Sequence, residues 1–76
     1  MKHARPDYNR IQDPEAKIPE DEPVFLIRGQ DQVASKVVRH WADLNDEAGG
    51  DPELSANARD QADKMDEWPT KKKADG

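Results

Sequence analysis

The tetrapeptide Gly49-Gly50-Asp51-Pro52 does most to limit what this chain can fold into. Glycine at the end of a helix takes the left-handed conformation without steric cost, so Gly49-Gly50 stops whatever precedes it. Asp51 followed by Pro52 and Glu53 then supplies, in order, a cap, a first-position proline and an early acid, which together open a new helix. The segment before this punctuation places Val37, Val38, Trp41, Leu44 and Ala48 at helical spacing as one apolar stripe, with Ser35 as the expected N-cap. The segment after it marks a buried face with Leu54, Ala58, Ala62 and Met65 and ends at Trp68-Pro69. Two helices joined by so short a turn lie antiparallel. The expected fold is therefore mainly α: an antiparallel αα-hairpin with helices over 35–48 and 52–68. One short apolar strand and an extended N-terminal arm complete it.

The strand is read from residues 24–27, the only run of four large apolar side chains. Pro23 and Gly29 bound this Val-Phe-Leu-Ile sequence, and its length and β-branched content favour a strand; a helical turn with Pro23 at its first position is the alternative. A lone strand must pair with the arm, with a second copy or with a target, because its backbone groups are otherwise unsatisfied. Residues 1–20, with Pro6, Pro14 and Pro19 and no period, read as the arm. Residues 21–69 form one small domain with a strand and turn over 23–34, and residues 70–76 read as a disordered basic tail. No internal repeat is apparent.

With 76 residues, 33% hydrophobic and 38% charged, any core must be thin. A homodimer or larger assembly is expected on that ground. There is no cysteine to supply a disulfide or a thiolate zinc site. No apolar run is long enough for a signal segment or a membrane span, which points to a cytoplasmic protein. The net charge is −5, but the two ends are basic, each carrying a net +2, so residues 11–69 carry −9. Direct nucleic-acid binding is not expected of such a body, which repels phosphates.

No pattern in the chain announces catalysis. His3 and His40 lack ligand spacing, no carboxylate lies in an apolar run that would raise its pKa, and no hydroxyl neighbours a histidine. The expectation is a non-enzyme without metal or cofactor. Its partner-binding residues would be the acids Asp60, Asp63, Asp66 and Glu67 with Trp41 and Trp68, presented to a basic surface on another protein. The alternative is a small anionic ligand such as a nucleotide. Arg28 and Gln30, in the turn after the apolar run, would grip it, with Tyr8 stacking and Lys17 meeting a phosphate.

Residues 18–31, which read Ile-Pro-Glu-Asp-Glu-Pro-Val-Phe-Leu-Ile-Arg-Gly-Gln-Asp, and the later Val38-Arg39-His40-Trp41-Ala42 resemble a group of small bacterial and phage proteins. These share a P-x-D-E-P-V-F-L-[IL]-R-[GA]-Q-D string, and the likeness covers roughly residues 8–68. No activity or site residue comes with it. What it implies is a phage- or prophage-associated, non-catalytic protein that binds and inhibits or redirects a host macromolecule.

Overall fold

The computed structural model describes Lys2, His3 and residues 15–73. Helix α1 spans Ala34–Glu47 and helix α2 spans Pro52–Glu67, and the two pack against each other as an antiparallel hairpin. The turn between them follows the sequence closely. The Gly50 amide donates to the Asn45 carbonyl (2.8 Å) and the Gly49 amide to that of Asp46 (3.1 Å), with Gly49 at φ 75°. This is the Schellman arrangement, which satisfies the last carbonyls of α1 and needs a left-handed residue at Gly49. Asp51 then caps α2, its carboxylate accepting from the Glu53 amide at 2.9 Å, with Pro52 in the first turn.

Helix α1 begins one residue earlier than expected, and Ser35 is not its cap. The carboxylate of Asp31 accepts from the Val33 amide (2.9 Å) and the Asp31 carbonyl from the Ala34 amide (3.1 Å), forming an Asx-type turn that leads into the helix. Ser35 is thereby released to face α2, where it is buried.

On α1 the face on which the helices meet is not the expected stripe; on α2 Ala62 of the expected face is buried, Ala58 and Met65 are half-buried, and Leu54 is exposed. The buried residues are Ala34, Ser35 and Ala42 from α1 and Ser55 and Ala62 from α2. Val37, Trp41 and Leu44 of α1 and Leu54 of α2 stay exposed. The reason is steric: small side chains let the backbones approach, and the distance between packed helices is set by the residues at the contact. The Ser55 hydroxyl, whose one proton is shared between the Ala42 carbonyl at 3.3 Å and the Asp46 carboxylate, sits at an approach that larger residues would prevent.

This packing exposes an internal repeat that the hydrophobic pattern hides. Ser35-x3-Arg39-x2-Ala42-Asp43-x2-Asp46 recurs as Ser55-x3-Arg59-x2-Ala62-Asp63-x2-Asp66. The antiparallel hairpin pairs the copies reciprocally. Arg39 reaches Asp63 (2.8 Å) and Asp66 (2.7 Å), while Arg59 reaches Asp43 (3.0 Å) and Asp46 (2.7 Å). Hydrogen bonding from Ser55, and then from Arg59, holds the Asp46 carboxyl below its ordinary pKa. Ser35, and then Arg39, do the same for Asp66.

The segments around the hairpin are short. Strand β1, Lys2–His3, pairs in parallel with strand β2, Pro23–Val24. The expected strand over 24–27 is thus confined to its first residue and the proline before it; residues 25–28 have no regular structure, with Phe25 73% exposed. The rest of the expected arm, residues 4–14, lies outside the described residues. The basic tail is ordered as far as it is described. Lys72 pairs in parallel with Asp31, its amide donating to the Gln30 carbonyl (2.6 Å) and its carbonyl accepting from the Gln32 amide (2.8 Å). The unpaired backbone of the turn before α1 supplies this partner, which side-chain composition could not reveal. No described helix is long and apolar enough to cross a membrane.

Two outcomes follow from these contacts. Gly49→Ala should destabilise the hairpin by about 1 kcal/mol in urea denaturation, because alanine is strained at positive φ. Asp46 and Asp66 have depressed pKa values in the folded state, so their contribution is complete above the unfolded value of about 3.9 and is lost as pH falls through the lower folded values. Circular dichroism titration should show helix loss on acidification below about pH 4, and Ser35→Ala with Ser55→Ala should move that loss to higher pH.

Candidate functional site

The turn at residues 28–31 crosses the C-terminal half of α2. Gly29 packs on that part of the helix: a β-carbon there would stand 3.7 Å from Met65 and 3.8 Å from the Trp68 β-carbon, in ordinary van der Waals contact. The Asp31 amide closes the turn onto the Arg28 carbonyl at 3.0 Å. Lys71 fixes it from the other side. Its ammonium donates to the Gly29 carbonyl (2.9 Å) and to the Met65 carbonyl, where a cation also suits the C-terminal end of α2.

Between turn and helix runs an open groove of about 430 Å³, lined by Ile27, Arg28, Gly29, Gln30, Gln61, Lys64, Met65 and Trp68. That volume lies within the range of small-molecule sites. The lining combines two cations, two amides and one indole with a short apolar floor, and it contains no carboxylate, histidine or hydroxyl. Such a set can hold an anion and a flat ring.

Arg28 differs from the other described arginines. Arg39 and Arg59 each take two carboxylates. Among the described residues Arg28 has no side-chain hydrogen bond or ion pair, although the chain carries 17 acids. Lys64 is tied only loosely, to Asp60 at 3.3 Å across one turn of α2.

The structure therefore unites Arg28 and Gln30 with Trp68, which the sequence assigned to a different role, and adds Gln61 and Lys64, which sequence reasoning missed. Their helical spacing to Trp68 along α2 was the available signal; what lay against that side of the helix was not readable. Lys17 is not in the groove but pairs with Glu15 at 2.7 Å, and Tyr8 lies outside the described residues. Of the expected acidic residues, Asp63 and Asp66 share Arg39 and Asp60 pairs with Lys64, while their side chains stay 51–69% exposed. Glu67 alone of the four has no ion pair among the described residues. Trp41 sits on the outer face of α1, 48% exposed, and does not line the groove. Among the described residues no group of three or more acidic or histidine side chains could hold a metal ion.

No protein-family model matches this chain, and no curated protein or solved structure matches it significantly.

Replacing Lys71 by alanine should release the turn while leaving both helices intact. Amide hydrogen exchange at Asp31, Gln32 and Lys72 should accelerate, with helical circular dichroism unchanged.

Proposed function

We propose that the chain is a non-catalytic binding protein whose groove takes a small anionic ligand with a flat ring, a nucleotide being the fitting class. The observation that carries this reading is Arg28, a guanidinium without a carboxylate partner among the described residues of an acid-rich chain, at the edge of a groove that also presents Lys64 and Trp68. Arg28 and Lys64 would meet phosphate oxygens, the indole of Trp68 would stack on the base, and Gln30 and Gln61 would read its polar edge. With no catalytic group in the lining, the work is retention of the ligand rather than its conversion.

A second reading is a stoichiometric contact with a host protein that the chain inhibits or redirects in the cytoplasm, as the likeness to phage-associated proteins suggests. The exposed Phe25, at 73%, supports it, as does Trp41. Asp63 and Asp66 share one arginine and stay exposed, so acidic steering toward a basic surface would act beside these apolar side chains.

Native mass spectrometry of the protein purified from a bacterial lysate at low salt separates the two. The first reading expects retained mass of nucleotide size. Arg28→Ala should weaken nucleotide binding by about 10- to 100-fold in calorimetry, the worth of a hydrogen bond to a charged group. Trp68→Phe should reduce the fluorescence quench on binding. Unchanged affinity in Arg28→Ala would remove the groove from consideration. A stoichiometric protein partner lost in Phe25→Asp but kept in Arg28→Ala would establish the second reading instead.

A further inference from the structure

Helix α1 arranges its charges against its own dipole. No acid stands in its first turn and no base in its last; Lys36 lies near its start and Glu47 at its end. A macrodipole favours the reverse order. Arg39, Asp43 and Asp46 are explained by the reciprocal pairs with α2. Lys36 and Glu47 are not: among the described residues neither has a side-chain hydrogen bond or ion pair.

Both residues flank the apolar stripe that the hairpin leaves outside. Val33 (51% exposed), Val37 (43%), Trp41 (48%) and Leu44 (47%) follow one another at three- and four-residue spacing. On a helix advancing about 100° per residue they share one face, roughly a third of a turn from the face that meets α2, and Lys36, His40 and Glu47 run along one border of it.

We infer that this face binds a second copy of the chain, with the two α1 helices antiparallel about a twofold axis at Trp41. In that register Val37 of one copy meets Leu44 of the other, Val33 meets Ala48, and the two Trp41 rings adjoin. Antiparallel pairing brings like borders together, so Lys36 of each copy faces Glu47 of the other and His40 faces Asp43. One positive and one negative end on a single border match a reversed copy of the same helix. The arrangement thus explains a charge order that costs the isolated helix stability. It repeats outside the hairpin the rule used inside it, where antiparallel helices exchange arginine and aspartate reciprocally. The contact is isologous, and a stripe of four to five apolar side chains places it at the small end of stable interfaces, with a dissociation constant in the range of about 1–100 μM. It uses none of the groove residues and stands apart from the ligand reading.

The test is sedimentation equilibrium on the full chain in a Trp68→Phe background, so that fluorescence reports Trp41 alone. Wild-type protein should show a monomer–dimer equilibrium, and Trp41→Asp should abolish it. Lys36→Glu and Glu47→Lys should each weaken the dimer about tenfold, two pairs being lost and like charges opposed. The double variant Lys36→Glu/Glu47→Lys should restore it to within about threefold of wild type. Both residues are exposed and both substitutions suit the helix dipole, so circular dichroism should show helix content kept or raised while association falls. A double variant as weak as the singles would overturn the inference, as would a dimer that survives Trp41→Asp. A wild-type monomer at millimolar concentration would overturn it too: blue-shifted Trp41 emission would then assign the face to residues 4–14 of the same chain, and water-exposed emission to a partner of another kind.

Discussion

The rest of the structure depends on how closely the two helices approach. Ala42 and Ala62 are fully buried where the helices cross, and the Ser55 hydroxyl contacts the Ala42 carbonyl across the interface. At that separation large side chains do not fit between the axes, so Val37, Trp41, Leu44 and Leu54 point away. Buried apolar area contributes little to such a hairpin. Directed contacts contribute instead: two arginines each holding two aspartates, two serines supporting those carboxylates, and Asn45 donating to both the Asp51 carbonyl (3.2 Å) and Ser55 (2.8 Å) over the turn.

This division of labour changes the meaning of the chain's charge. A body carrying −9 over residues 11–69 suggests a surface for a basic partner. Folding pairs part of that charge within the chain, each helix supplying an arginine where the other supplies two aspartates, and leaves the net charge of the body as it was. The groups left over are the informative ones. Among the described residues Arg28 beside the groove, and Lys36 and Glu47 bordering the outer stripe, have no ion pair. The two proposed contacts, with a small anion in one case and a second copy in the other, rest on these charges.

Backbone pairing outside the helices follows from the same economy. The turn at residues 28–32 has no apolar side chain to hold it, yet it is fixed from two sides, by Lys71 on the Gly29 and Met65 carbonyls and by Lys72 on the Gln30–Gln32 backbone. A segment whose composition reads as a solvated tail thereby becomes part of the groove's support. The turn stays beside α2 because a lysine from the next segment ties its backbone to the end of that helix.

The sequence by itself determined where α1 stops and α2 starts, since the cap, proline and glycine signals around Gly49-Gly50-Asp51-Pro52 act within a few residues and need no partner. It also determined the antiparallel arrangement, because so short a connection permits little else. Only the tertiary structure decided which side of each helix is inside. A hydrophobic stripe indicates a face that prefers to leave water, not which body covers it, and here the covering of α1 by α2 falls on serine, alanine and arginine. The repeat from Ser35 to Asp46 and from Ser55 to Asp66 stood in the sequence throughout, yet its meaning appears only when the antiparallel hairpin sets each arginine against the other copy's aspartates. Likewise Gln61 and Lys64 became site residues only once the turn at Gly29 packed against α2, a contact between segments too far apart in sequence for any local rule to join.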